Sequence, residues 1–121
     1  MRNTKNRGDY GETVVLGYLK SKGYDILKQN FKAKGGEIDI IAQDGDSGYI
    51  VFVEVKYRRG TGFGDGLEAV NFAKQRRLIA AAKAYLYAEN KWDVDCRFDV
   101  ISLFGREEFE VEHIENAFWE S

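Results

Sequence analysis

Apolar and polar residues follow two different periods along the chain, and these periods predict the secondary structure. Apolar residues recur at helical spacing from about Gly8 to Lys22, and Gly23 then ends the helix. Runs rich in Val, Ile and Phe predict strands, and a long amphipathic run predicts a second helix. The predicted strands are 24–30, 37–43, 49–57, 96–103 and 108–114, and the second helix is 67–89. The order α-β-β-β-α-β-β predicts an α/β fold with a mixed central sheet flanked by helices.

Two adjacent predicted strands carry charged residues within strongly apolar sequence. Residues two apart in a strand point to the same face, so Glu37 projects with Asp39, and Glu54 projects with Lys56. The turn-forming loop 44–48 predicts that the two strands pair as an antiparallel hairpin. Charges on such strands are costly unless they are paired or bind a metal. The hairpin therefore predicts either a functional cluster or a cross-strand ion pair on a solvated face.

Each predicted helix also places one charged residue on its apolar stripe. Glu12 lies on the inward stripe of the first helix, and Lys74 lies on that of the second. The alternatives are a glutamate that complements the helix dipole and a lysine whose stem packs while its ammonium group reaches solvent.

Size and composition indicate one domain over residues 1–121, with polar residues 1–7 expected to be flexible. No segment approaches the roughly 18 apolar residues of a membrane span, and the start lacks a secretory signal. Cys96 is the only cysteine, which excludes a disulfide framework and a cysteine zinc cluster. A soluble cytoplasmic protein is expected, with Cys96 a core thiol and His113 a structural residue.

The net charge of −2 conceals a strong asymmetry along the chain. Residues 1–83 contain 15 Lys and Arg against 10 Asp and Glu, whereas residues 84–121 contain 3 against 10. The basic part fits a phosphate backbone partner, although solvated lysines on helices and loops would give the same count. The acidic C-terminal third, 107–120, could dock a protein partner or form a solvated edge.

The charged residues of the hairpin and first helix resemble the PD-(D/E)xK nucleases of the restriction-endonuclease-like superfamily. More closely, the whole chain resembles the YraN family of small bacterial proteins, which is related to archaeal Holliday junction resolvases. Ile38 replaces the proline of the superfamily motif and leaves the aspartate in place. The features that carry the resemblance are Gly11-Glu12, Asn30-Phe31, Gly36-Glu37-Ile38-Asp39-Ile40-Ile41-Ala42, residues 51–58, Lys74, Arg97-Phe98-Asp99-Val100 and residues 113–118.

The resemblance implies an endonuclease that uses Mg²⁺ or Mn²⁺ to hydrolyse phosphodiester bonds in DNA, including branched or structured DNA. Mg²⁺ prefers hard oxygen ligands and keeps several waters, so a protein commonly supplies only about two carboxylates to it. Asp39 and Glu54 are the expected primary ligands, with the Val55 carbonyl a third. Glu12 would complete the metal shell or hold a second metal. Lys56 would orient the attacking water and stabilise charge on the reacting phosphate.

Three basic residues are expected to contact nucleic acid: Lys74, Arg58 and Arg59. Glu37 stays open between a metal ligand and a surface charge at the start of its strand. The resemblance also allows a homodimer, because the related junction enzymes act as dimers on a substrate with twofold symmetry.

Two other functions are weighed against the nuclease. The first is a catalytically silent module of the same fold that binds nucleic acid and recruits a DNA-processing partner. The second is a metal-independent endonuclease of structured RNA, which would need a His/Tyr/Lys set. The single histidine, distant from Lys56 in sequence, disfavours that second alternative.

Overall fold

A computed structural model describes residues 4–58, 70–91, 93–105 and 108–118 of the chain. The element order is the predicted α-β-β-β-α-β-β, and the architecture is consistent with a restriction-endonuclease-like fold. The elements are α1 (Thr4–Ser21), β1 (Tyr24–Ala33), β2 (Gly36–Asp44), β3 (Ile50–Arg58), α2 (Phe72–Ala88), β4 (Cys96–Phe104) and β5 (Glu110–Phe118).

The five strands form one mixed sheet in the order β1-β2-β3-β4-β5. Among the described residues only β3 and β4 pair in parallel, and their connection contains α2. β3 is the central strand and is covered on both faces, which explains why its sequence is a continuous apolar run. Ile50 and Phe52 face one core, whereas Val51 and Val53 face the other.

The two helices pack on opposite faces of the sheet and generate these two cores. Val15 and Leu19 of α1 join the core that contains Val51 and Val53. Leu78 and Tyr85 of α2 join the core that contains Ile50 and Phe52. Both helices thus bury the apolar stripe that their sequence spacing predicts. Within the described residues, neither helix is long and apolar enough to cross a bilayer.

Most element ends differ from prediction by a few residues. α1 ends as predicted, next to Gly23 with its φ of +89°, but it begins at Thr4, and β1 and β5 extend further to Ala33 and Phe118. The predicted start of the second helix at residue 67 is wrong. The Asn71 side chain accepts the Lys74 N–H at 2.9 Å and caps a helix that begins one residue later.

Gly36 allows α2 to pack unusually close to the first residue of β2. A Cβ atom at this position would overlap the backbone carbonyl of Arg77. This contact is the reason why position 36 needs a glycine, because the φ of Gly36 is not in the left-handed region. The glycine of the Gly36-Glu37-Ile38-Asp39 segment therefore sets the distance between α2 and the strand that carries Asp39.

Replacing Gly36 by Ala is expected to destabilise the fold by about 1–3 kcal/mol, because the backbone of α2 has to move away from β2. Thermal unfolding followed by circular dichroism measures this change. Gly17→Ala is the matched control. Its Cβ would meet nothing within 4 Å, and alanine in a helix interior is expected to stabilise by about 0.5–1 kcal/mol. Equal stabilities of Gly36→Ala and the native chain would contradict the close packing.

Candidate active site and metal centre

β2 and β3 separate at one end, and this opening contains the charged residues of the hairpin. The ladder between the two strands runs from Gln43–Ile50 to Ile40–Val53. Beyond that point β2 continues along β1, and β3 continues along β4. Asp39 of β2 and residues 54–56 of β3 lie just beyond this end of the ladder.

The Asp39 carboxylate bridges the opening. Its Oδ2 accepts the Val55 backbone N–H at 2.8 Å, and so replaces the strand carbonyl that no longer reaches this group. The Asp39 carboxyl group also lies near enough to the Glu54 carboxyl group for the two to interact strongly. The predicted meeting of the two hairpin carboxylates is therefore present in the structure.

Burial and a neighbouring charge strongly perturb Asp39. Burial of the carboxyl group, together with the negative charge of Glu54, raises the pKa of Asp39 from 3.8 to about 7. The hydrogen bond from Val55 and the charge of Lys74 oppose this shift without cancelling it. Near neutral pH and without a cation, the Asp39 carboxyl group is therefore partly protonated. Such pairs mark candidate functional sites.

Two lysines converge on the second carboxylate. Glu54 Oε2 lies 3.3 Å from Lys56 Nζ and 3.2 Å from Lys74 Nζ. Glu54 itself is only 5% exposed in its side chain, whereas both lysines retain partial access to solvent. Lys74 does point inward as its helix position predicts, and the group that it meets is a carboxylate of the site.

Glu12 is held at a different place. Its Oε1 accepts a hydrogen bond at 3.4 Å from the Asn30 side-chain amide. Asn30 is adjacent to Asp39 across the β1–β2 pair, and its φ of 52° is left-handed. Asn30 thus links α1 to the strand of the site, a role that no local sequence pattern indicates. Asn takes this backbone conformation more readily than most residues.

The other predicted site residues lie around the opening. Glu37 is exposed at the start of β2 and is opposite Lys32 in β1. Arg58 is the half-buried last residue of β3. Arg59 lies outside the described residues, as does most of the glycine-rich segment that follows it.

The donors present fit a hard divalent cation that keeps much of its hydration shell. Asp39 and Glu54 offer carboxylate oxygens close together, which suits Mg²⁺ or Mn²⁺. Among the described residues, no group of three or more His, Cys, Asp or Glu could enclose a metal. The structure therefore does not bring Glu12 into a three-residue group with this pair. A cation bound here needs water or a substrate oxygen for its remaining positions.

A second charged cluster lies away from the opening, and sequence reasoning missed it. Asp99 of β4 is fully buried and accepts hydrogen bonds from His113 Nε2 at 2.7 Å, Arg97 Nε at 3.0 Å and the Asn116 backbone at 3.0 Å. Burial by itself would raise the pKa of Asp99, but the bonds from His113 and Arg97 hold that pKa below its usual value.

This cluster links five elements. His113 Nδ1 is 2.9 Å from the Tyr18 hydroxyl of α1. Arg97 pairs with Asp44 at 3.3 Å and donates to the Tyr24 hydroxyl. The contacts join β4, β5, α1 and the ends of β1 and β2, so His113 is placed in a structural role, as predicted. The only sequence signal was the resemblance carried by residues 97–100 and 113–118.

Comparison with known proteins identifies the family. The model described as "Uncharacterised protein family UPF0102" matches residues 11–103. The chain belongs to this family. It is the YraN family that the sequence features resemble, so that prediction is confirmed.

Members of the UPF0102 family match along nearly the whole chain. A UPF0102 protein of Clostridioides difficile (strain 630) is 45% identical over 116 residues, which cover 96% of this chain and 99% of that protein. One from Geobacter metallireducens is 44% identical over 117 residues, covering 96% and 94%. One from Chlorobium chlorochromatii is 42% identical over 124 residues, covering 97% and 94%.

Proposed function

We propose that this UPF0102 protein is a metal-dependent endonuclease that hydrolyses phosphodiester bonds in DNA. The observation that carries the proposal is the pair of interacting carboxyl groups, Asp39 and Glu54, with Lys56 on Glu54, at the opening between β2 and β3. A surface ion pair would not place a carboxyl group with a raised pKa beside the buried carboxylate of Glu54. Preorganised charge of this kind is typical of catalytic sites.

Asp39 and Glu54 would hold the cation, and Mg²⁺ or Mn²⁺ would supply the positive charge that neutralises a phosphate oxygen and lowers the pKa of water. Lys56 is held by Glu54 at 3.3 Å and keeps 26% of its side chain exposed. It can therefore donate a hydrogen bond to the attacking water or to a phosphate oxygen without leaving its carboxylate. Lys74 adds a second cation on the same oxygen of Glu54.

The two lysines can also neutralise the negative charge of a phosphate group. A DNA phosphate could pair with Lys56 and Lys74 while it completes the coordination of the cation. Among the described residues, the protein offers the cation only the two carboxylates Asp39 and Glu54. Because a DNA phosphate would supply a further ligand, the cation and DNA are expected to bind cooperatively. Any preference for branched DNA is part of the proposal only through family kinship.

Calorimetric titration with Mn²⁺, with and without a branched DNA duplex, tests the proposal. The native chain is expected to bind the cation weakly alone and at least about tenfold more tightly with DNA, a coupling of roughly 1.4 kcal/mol. The double variant Asp39→Asn/Glu54→Gln is expected to bind no Mn²⁺. Asp25→Asn, an exposed carboxylate elsewhere in β1, is the matched control and should bind Mn²⁺ as the native chain does.

Cleavage of the same DNA in Mg²⁺ or Mn²⁺, lost in the double variant and kept in Asp25→Asn, would complete the support. Mn²⁺ binding that survives the double variant would place the metal elsewhere and reject this site. Salt-sensitive DNA binding without Mn²⁺ binding or cleavage would instead support the silent module that recruits a DNA-processing partner.

A further inference from the structure

The outward face of α2 combines cations and aromatic rings, and it is separate from the carboxyl pair. The helix contains four basic residues and no acidic residue over Phe72–Ala88. Its cations therefore have no acidic partner within the helix, in contrast to the mixed-charge pairs common on solvated helices. The basic residues are Lys74, Arg76, Arg77 and Lys83.

Four residues of this helix align on one narrow stripe. Positions 72, 76, 83 and 87 are separated by four, seven and four residues, which places them within about 60° around a helix of 3.6 residues per turn. Phe72 is 62% exposed and Tyr87 is 76% exposed, and Arg76 and Lys83 lie between them. The stripe points away from the buried face that contains Leu78.

The first two members of the stripe form a cation–π pair. The Arg76 guanidinium carbon lies 5.2 Å from the centre of the Phe72 ring, within cation–π range. The arrangement holds an exposed aromatic ring next to a planar cation. Both kinds of surface stack on nucleic-acid bases, and base stacking on aromatic residues accepts any base.

We propose that this stripe, residues 72, 76, 83 and 87, binds unpaired nucleotides of a DNA substrate by base stacking. The positive charge of α2 complements the phosphate backbone, and the exposed rings need bases that are not stacked in a duplex. This inference rests on the proposed function, which it deepens by naming a substrate class: DNA with a single-stranded segment beside the reacting phosphate.

The position of the stripe relative to the site supports a continuous path for one strand. Lys74 is two residues from Phe72 and from Arg76, so each is displaced by about 3 Å along the helix axis. Lys74 faces Glu54 on the inner side of the first turn, whereas the pair Phe72–Arg76 is on the outer side. A DNA strand that crosses this turn would meet both Lys74 and the Phe72–Arg76 pair within about one helix diameter, ~10 Å.

Fluorescence anisotropy with labelled oligothymidine and with a labelled duplex, both in EDTA, tests the proposal. Phe72→Ala is expected to weaken single-strand binding about 5- to 30-fold, the loss of one stacked base, with little effect on the duplex. Arg76→Lys keeps the charge but loses the planar group, and is expected to weaken single-strand binding more than duplex binding. Tyr49→Ala is the matched control, since Tyr49 is a partly exposed aromatic beside the β2–β3 turn, away from the opening.

The outcomes separate this proposal from the nuclease proposal. Equal losses for both DNA forms in Phe72→Ala, or no loss for either, would overturn the stacking surface. The proposal would also be overturned if the native chain, at equal numbers of phosphate groups, bound oligothymidine no more tightly than the duplex. If the Phe72-dependent preference is found but no cation supports cleavage, the surface stands and the nuclease fails. If cleavage occurs while Phe72→Ala binds normally, the nuclease stands and the surface fails.

Discussion

Asp39→Asn is expected to raise the thermal stability of the metal-free protein at neutral pH while it abolishes metal-dependent DNA cleavage. The substitution removes the repulsion between the half-buried Asp39 and the buried Glu54, and the Asn oxygen can still accept the Val55 N–H. A gain of about 1–2 kcal/mol would raise the Tm by roughly 4–8 °C in a domain of this size. Cleavage should fall by about 10³-fold or more, since both cation and charge stabilisation are lost.

The pH dependence of stability provides a second readout for the same variant. The folded-state pKa of Asp39, about 7, lies above its unfolded value of 3.8. This group therefore favours the folded state below about pH 4, and that contribution is lost as the pH rises through 7. In chelator, the native Tm should decline over this interval more steeply than the Tm of Asp39→Asn. Asp25→Asn should follow the native curve, and a lower Tm for Asp39→Asn at pH 7 would contradict the strained carboxyl pair.

Asp99→Ala is expected to have the opposite effect and the largest loss of stability. It leaves Arg97, His113 and the Asn116 N–H without their shared acceptor inside the protein. Removing one member of a buried charge cluster costs about 3–5 kcal/mol. The Tm should therefore fall by roughly 10–20 °C. Thermal and urea unfolding at pH 7 measure the change.

Asp99 also predicts a pH dependence of the opposite sign to that of Asp39. Its pKa is lowered in the folded state, so its stabilisation is present above about pH 4 and is lost as the pH falls through the folded-state pKa. The stability difference between the native chain and Asp99→Ala should shrink in that acidic range. A constant difference from pH 7 to pH 2 would be inconsistent with the ionised carboxylate described above.

A control on the same strand separates charge loss from simple truncation in the core. Ser102 is fully buried in β4, and its hydroxyl has no hydrogen-bond partner among the described residues. Ser102→Ala should therefore be neutral or slightly stabilising. If Asp99→Ala does not yield folded protein, Asp99→Asn keeps one acceptor and is expected to lose about 1–3 kcal/mol. A neutral Asp99→Asn would show that the cluster does not support the fold.

Local sequence patterns predicted the order of elements because each element has a strong period and clear stop signals. The Asp44–Gly48 turn and the apolar run 50–53 placed the central hairpin correctly. The start of α2 was wrong because apolar spacing was extended through Val70, although Asn71 is the residue type that caps helices. Strand ends depend on pairing partners, which explains the added length of β1 and β5.

The candidate site was predictable where its residues are close in sequence. Alternation placed Glu54 and Lys56 on one face, and helical spacing turned Lys74 inward; the ion pairs with Glu54 agree with both. The separation of β2 from β3 and the contact of Glu12 with Asn30 depend on how α1 and the first three strands pack together. No local sequence period contains that information.

The Asp99 cluster was not predictable from sequence for the same reason. Tyr18 and His113 are 95 positions apart, and Arg97 and Asp44 are 53 apart. These residues come close in space because β3 pairs in parallel with β4 and because α1 packs on the sheet. Buried polar clusters of this kind are recognised from geometry, because each member alone looks like an ordinary surface charge.

The bond from the Val55 N–H to Asp39 makes one backbone amide a reporter of the whole site. This N–H lies where the β2–β3 ladder has ended, and its acceptor is a side chain that exchanges a proton near pH 7. In a ¹⁵N-labelled sample its resonance should shift as that proton leaves or as a cation takes its place. Its deuterium exchange should quicken when the carboxylate is engaged elsewhere. A single peak can therefore follow the occupancy of the site without any substrate.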